Sequence, residues 1–211
     1  MKSKFFTFFL VFNGCWFPFS WGQESVLAEV YGDLDKDKIE EKVVVKELNE
    51  EGEFGKKREL SIFKKKGKQW DLMVTSKTAV SESQAGGMMG DPFEEIIIKK
   101  GILVISHSGG SSWKWNTTEK YRYQNNQFEL IGYNSFYGKL CEYWSDFDYN
   151  VSTGKIIYSK QYENCDEEGN QNIGKEEKEV FFNKLKKLPT IHKSDTPTKI
   201  ISPKYKTELY F

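Results

Sequence analysis

Residues 121–130 read Tyr-Arg-Tyr-Gln-Asn-Asn-Gln-Phe-Glu-Leu, and they decide the class of fold. Aromatic and apolar residues alternate with polar ones on both sides of the two asparagines, which is the period of a half-buried β-strand. Asparagine tolerates the left-handed backbone that a two-residue turn requires. The stretch therefore predicts an antiparallel hairpin in which Tyr123 lies opposite Phe128.

Working outward, the same alternation recurs along most of the chain. Aromatic residues make up 16% of the sequence, and aromatic and β-branched residues favour strands over helices. Two strongly apolar runs, at 93–98 and 102–106, predict a central hairpin that is buried on both faces. We expect an all-β fold in which antiparallel hairpins form packed, propeller-like or sandwich-like sheets in one domain.

The last part of the chain predicts less regular structure. Residues 166–179 are charged and contain glycine, which indicates a solvated loop. After Pro189 the chain is basic and punctuated by proline, which is typical of loosely held tails. The predicted division is a signal peptide at 1–22, an all-β domain at 23–188 and a loosely held tail at 189–211.

The first 22 residues have the three parts of a secretory signal peptide. Lys2 and Lys4 form a basic start, an apolar run follows, and Ser20 and Gly22 supply small residues at the cleavage position. The apolar run is shorter than the roughly 20 residues that a membrane-spanning helix needs. We expect export to the periplasm or the medium; the alternative is a lipid anchor through Cys15.

The balance of acidic and basic residues narrows the classes of molecule that the protein is expected to bind. The sequence has 31 basic and 31 acidic residues, and removal of the signal peptide with its two lysines leaves 29 basic residues. Nucleic-acid binding normally requires a basic face, so this balance argues against a nucleic-acid partner. No second apolar run is long enough to predict a transmembrane segment.

Two of the three cysteines predict a disulfide. Segments 140–150 and 155–165 form a hairpin pattern, and a turn centred on Thr153 places Cys141 opposite Cys165 and Asp146 opposite Lys160. Opposed cysteines form a bridge in an oxidising compartment. The third cysteine leaves with the signal peptide, so the remaining count is even. The alternative is a pair of free thiols, because a loop one residue shorter would shift the register.

An acidic stretch predicts a metal site near the start of the domain. Asp33, Asp35 and Asp37 alternate, Ile39 can offer its backbone carbonyl, and Glu41 can close the site. Ca²⁺ binds several oxygen ligands from one short segment in this way. An EF-hand does not fit, since the sixth and twelfth places hold lysine and valine instead of glycine and glutamate. The alternative is a charged, solvated turn between two strands.

This short loop resembles the calcium loops of FG-GAP or VCBS-type β repeats, in which such a loop leads straight into a strand. The segments 86–93, 121–132 and 152–155 are similar to those of uncharacterised exported bacterial proteins that carry an FG-GAP/VCBS-like loop near the N-terminus. The resemblance implies an all-β domain with a bound Ca²⁺ and no reaction. Lys36 and Lys38 stand where that family usually has glycine, which opposes the likeness.

Catalytic motifs are weak. The chain has two histidines, and the Gly-x-Ser-x-Gly spacing of a serine hydrolase does not occur. A hydrolase would have to combine His107 with Ser108 or Ser111 and with Asp91, and no spacing supports that combination. We therefore predict a non-catalytic protein of the bacterial envelope, with a hydrolase as the less favoured alternative.

A row of aromatic residues offers another function. Trp113, Trp115, Tyr121 and Tyr123 occupy alternate positions on one strand or its approach. On an exposed face these rings could bind a carbohydrate or a peptide; on a buried face they are core. A carbohydrate- or peptide-binding module is thus the alternative to a structural role.

Overall fold

A computed structural model describes residues 24–192 and 197–211 of the chain. The predicted signal peptide at 1–22, with Cys15, lies outside the described residues. The described residues form antiparallel sheets of four, seven and two strands, which confirms the all-β prediction. Within these two ranges, no helix is long and apolar enough to span a bilayer.

The four-stranded sheet is a meander in which each strand pairs with its neighbour in sequence. Its strands are β1 Ser25–Gly32, β2 Glu41–Gly52, β3 Gly55–Lys66 and β4 Gln69–Ser76. Val43 and Val45 of β2 lie directly opposite Ile62 and Leu60 of β3. All four side chains are fully buried, so one face of this sheet supplies part of the core.

The seven-stranded sheet is a second meander in chain order. Its strands are β5 Phe93–Lys99, β6 Ile102–Gly110, β7 Lys114–Gln124, β8 Gln127–Lys139, β9 Tyr143–Asn150, β10 Lys155–Cys165 and β11 Gln171–Phe182. Tyr123 pairs with Phe128 across β7 and β8, as predicted. Asn125 and Asn126 both have positive φ in the two-residue turn between them. One buried cluster contains side chains from both meanders.

The apolar hairpin of β5 and β6 was predicted to be central, and this prediction is wrong. β5 is an edge strand of the seven-stranded sheet, with Ile96 buried and Ile97 exposed. It lies beside β1, where Gly32 is so close to Ile98 that an added Cβ would come within 2.6 Å of its Cγ2 atom. Contact with β1 explains the apolar residues of this edge.

The charged segment predicted as a loop at 166–179 is also different, because most of it belongs to strand β11. This strand is the other edge of the sheet and pairs only with β10. Its side chains are mostly exposed, with Glu177 as the buried exception. Charged residues suit such a position, since they discourage pairing with a further strand.

The tail predicted to be loosely held packs against the core in its described part. Strands β12 Lys199–Ile201 and β13 Glu208–Tyr210 form a small hairpin. Ile200 and Leu209 are buried together with Ile191, which precedes them. The ring of Phe211 meets that of Tyr149 edge-on at 5.0 Å. The hairpin thus covers one end of the seven-stranded sheet.

Candidate metal centre

The acidic loop connects β1 to β2, and its backbone is folded by its own carboxylates. Asp35 accepts a hydrogen bond from the backbone N–H of Asp37, and Asp37 accepts one from that of Ile39. Lys36 and Lys38 have φ values of 67° and 72°. These are the two places where the resembling family has glycine, and a lysine there costs roughly 1–2 kcal/mol. The conformation is therefore that of a tight loop despite the substituted residues.

The loop brings the three aspartates together as predicted. One carboxylate oxygen from each of Asp33, Asp35 and Asp37 lies within 4.8 Å of the other two. The first two side chains are half-buried and the third is exposed, while fully buried Leu34 anchors the loop to the core. The side chain of Ile39 is 43% exposed, which is compatible with a contribution from its backbone alone.

Glu41 lies at the base of the loop with no exposed surface. Its Oε2 atom accepts hydrogen bonds from the backbone N–H groups of Leu34 at 2.7 Å and Asp35 at 3.3 Å. Its Oε1 atom has no hydrogen-bond partner, and neither has the buried Oδ1 atom of Asp33. Burial raises the pKa of Glu41. Each buried acceptor without a donor costs roughly 1–3 kcal/mol, so the site has a deficit of positive charge.

A lysine from the neighbouring strand supplies part of that charge. Lys64 lies opposite Glu41 across β2 and β3, and its ammonium group contacts Asp35 and lies 2.6 Å from Asp37. These contacts raise the pKa of Lys64 and lower that of Asp37. The sequence alone does not predict Lys64 as part of the site, because its position there depends on the pairing register of β2 and β3.

The predicted disulfide between Cys141 and Cys165 is confirmed, with 5.1 Å between the two Cα atoms. The register from which it was predicted is wrong by one residue. Lys160 lies opposite Ser145 rather than Asp146, because the turn is shorter than assumed. Cys141 precedes β9 in a turn, and its positive φ directs the chain so that the bridge forms outside the ladder.

The predicted aromatic row does not form one exposed face. Tyr121 is 1% exposed and belongs to the core, and the ring of Tyr123 packs on Phe128. Trp113 instead stacks on Tyr137 with 5.2 Å between ring centroids. Trp115 is half-buried beside Gly109. The row therefore divides between the core and a separate aromatic surface.

The groups considered for hydrolysis make other contacts. The Nε2 atom of buried His107 accepts a hydrogen bond from the backbone N–H of Ser81. Asp91 binds the guanidinium of Arg58 through both carboxylate oxygens, at 2.7 and 2.6 Å. Ser108 donates to Glu94. His107, Asp91 and Ser108 thus each have a hydrogen-bond partner outside the combination that a hydrolase would need.

No protein-family model, curated protein or solved structure matches this chain. Inference about its function therefore rests on the sequence and on the geometry of its sites.

Proposed function

We propose that this protein is an exported, non-catalytic domain of the bacterial envelope whose loop at 33–41 binds one Ca²⁺ and is stabilised by it. The observation that carries the proposal is the pair of buried carboxylate oxygens, Glu41 Oε1 and Asp33 Oδ1, that have no hydrogen-bond donor. Asp33 belongs to the cluster of three aspartates, whereas the predicted ligand Glu41 is not among the residues whose carboxylate oxygens lie within 4.8 Å of one another. Glu41 adjoins the cluster through the hydrogen bond that it accepts from the backbone N–H of Asp35. A cation held by the three aspartates would supply positive charge that these acidic oxygens lack.

The donor set favours Ca²⁺ over other ions. The loop offers three converging aspartates, with Glu41 and the backbone carbonyl of Ile39 as the further ligands expected from the sequence. All are oxygen ligands, and Ca²⁺ accepts six to eight of them in flexible geometry. Mg²⁺ requires a stricter octahedron and keeps several waters. Binding would displace the ammonium group of Lys64, whose side chain is 35% exposed and can extend into water.

Export and the absence of a reaction rest on separate observations. The basic, apolar and small-residue parts of residues 1–22 support export. The disulfide between Cys141 and Cys165 agrees with an oxidising compartment. His107 accepts a hydrogen bond from the backbone, and Asp91 binds an arginine. These contacts support a non-catalytic role.

Thermal unfolding of the purified protein in Ca²⁺ and in chelator tests the proposal. A ligand that binds only the folded state adds about 2.7 kcal/mol at a hundredfold excess over its dissociation constant. For a domain of this size, that corresponds to a rise of roughly 5–11 °C in Tm. We expect this rise in the wild type and its loss in Asp35→Asn.

Asp71→Asn is the matched control, because Asp71 is an exposed aspartate of β4 in the same sheet. It should keep the full response to Ca²⁺. Equal Tm values for the wild type in Ca²⁺ and in chelator would refute the metal site. Mass spectrometry of the protein from an exporting bacterial host tests export, which predicts a chain that begins near Gln23.

A further inference from the structure

A groove on the seven-stranded sheet has the composition of a ligand site and is remote from the acidic loop in sequence. It lies between β8–β10 and the C-terminal hairpin, and encloses about 330 Å³. This is within the roughly 300–1,000 Å³ of typical ligand sites. We call it the tyrosine groove; its lining includes Tyr137, Tyr143, Tyr158, Lys160 and Tyr210.

The aromatic rings of the groove continue across three strands. Tyr143 of β9 lies opposite Tyr162 of β10, with 6.1 Å between ring centroids. On the other side, the ring centroid of Tyr143 is 5.1 Å from that of Trp113, and Trp113 stacks on Tyr137. Tyr137 is 42% exposed. The rings therefore present an accessible apolar surface, broad enough for more than one cyclic unit of a ligand.

One ammonium group in this surface has no acidic partner. Lys160 is half-buried, and its Nζ atom lies 3.7 Å from the ring centroid of Tyr143 and 4.6 Å from that of Tyr162. Within the described residues, the ammonium group of Lys160 forms no hydrogen bond or ion pair. The π faces of two rings hold the cation in place, but they leave its hydrogen-bond donors free for an anion.

The surrounding charges do not cancel that of Lys160. Glu208 borders the groove and is paired with Lys199. Glu177 lies opposite Lys160 on the neighbouring strand β11, and its carboxylate pairs with Lys175. Farther along the aromatic surface, Lys139 pairs with Glu142. These three carboxylates are thus paired with lysines other than Lys160, which leaves the ammonium group of Lys160 available to an anion.

We infer that the tyrosine groove binds an acidic oligosaccharide, with sugar rings against Tyr137 and Tyr143 and a carboxylate at Lys160. The C–H faces of pyranose rings pack on aromatic rings, and this surface offers several such rings in sequence. The hydroxyl groups of Ser145 and Thr207 line the same groove and can bind sugar hydroxyls. Burial raises the pKa of Tyr143 and Tyr158, so their hydroxyl groups remain neutral at physiological pH.

Electrophoresis of the native protein in gels that contain polygalacturonate tests this inference, with dextran gels as the neutral comparison. The gels contain chelator, so that neither the acidic loop nor Ca²⁺ bound to the polymer contributes. Failure of the metal site would thus leave this experiment unaffected. We expect retardation in polygalacturonate, little in dextran, and no competition by an equal charge of oligothymidylate.

Two variants and two controls locate the binding. Lys160→Gln should weaken binding of oligogalacturonate by roughly tenfold to a hundredfold, as for a lost charge-assisted hydrogen bond, and Tyr143→Ala should also weaken it. Lys155→Gln, on the opposite face of β10, and Phe182→Ala, an exposed ring on β11, should bind as the wild type does.

Several results would overturn the inference. They are unretarded migration in polygalacturonate, equal retardation in dextran, competition by oligothymidylate, and an equal loss of binding in Lys155→Gln and Lys160→Gln. Thermal unfolding of each variant shows whether its fold is retained. If Tyr143→Ala unfolds, Lys160→Gln with its control still decides the outcome.

Discussion

Replacement of Glu41 by glutamine should have opposite effects in the absence and presence of Ca²⁺. The carboxylate is fully buried, and only its Oε2 atom has hydrogen-bond donors. A glutamine keeps a carbonyl oxygen for the N–H groups of Leu34 and Asp35. Its amide group replaces the unpartnered oxygen and carries no charge into a cluster that is already acidic.

The magnitudes follow from this geometry. A buried carboxylate costs more to desolvate than a neutral amide of the same shape, so Glu41→Gln should stabilise the metal-free protein by about 1 kcal/mol, or roughly 2–4 °C in Tm. In Ca²⁺ the variant lacks a charged ligand. It should lose most of the increment of about 2.7 kcal/mol that the wild type gains at a hundredfold excess.

The assay is thermal unfolding of both proteins in chelator and in Ca²⁺, followed across about pH 4 to 8. Burial raises the pKa of Glu41 in the folded state. Its contribution is therefore fully present below the unfolded pKa of about 4.3 and is lost as pH rises through the folded value. The stability of the variant should not decline in this way as pH rises. A variant that is less stable than the wild type in chelator, or that responds normally to Ca²⁺, would refute the reasoning.

Three further predictions concern other parts of the molecule. Lys64→Met should lower stability slightly in chelator, because exposed ion pairs contribute little, and should tighten Ca²⁺ binding, measured by calorimetry; unchanged affinity would contradict displacement of the lysine. Replacing Cys141 and Cys165 by serine opens a loop with a sequence separation of 24, which should cost about 3.5 kcal/mol in urea unfolding; an unchanged midpoint would contradict a structural bridge. Leu209→Ala should cost roughly 2–5 kcal/mol, whereas a loss below 0.5 kcal/mol, about the size of a surface substitution, would show that the C-terminal hairpin is not part of the core.

Local turn chemistry made the β7–β8 hairpin predictable from sequence. Two asparagines that adopt positive φ define the loop, and the loop then fixes that Tyr123 faces Phe128. The β9–β10 hairpin lacks such a marker. Its register was assigned one residue away from that in the structure, and the disulfide was still correct because Cys141 lies in a turn outside the ladder.

The position of a strand within a sheet was harder to predict than its existence. The apolar residues of β5 suggested a central strand, but contact of Ile98 with Gly32 of β1 accounts for them at an edge. The charged residues of β11 predict a loop, although charged residues also protect an exposed sheet edge from pairing with a further strand. For β5 the deciding contact comes from β1, which is distant in sequence, whereas β11 pairs with the strand directly before it.

The candidate metal site shows the same division between local and distant information. The alternation of Asp33, Asp35 and Asp37 is sufficient to predict that their carboxylates converge, and they do. Lys64 enters the site from another strand, and a single ammonium group cannot satisfy four carboxylates. It contacts only two of the aspartates and leaves Glu41 Oε1 and Asp33 Oδ1 without donors. A divalent cation carries twice the charge and could be bound by the three aspartates together. In the proposed calcium site Lys64 would compete with the ion, so its removal is the perturbation that best separates a calcium site from a self-neutralised turn.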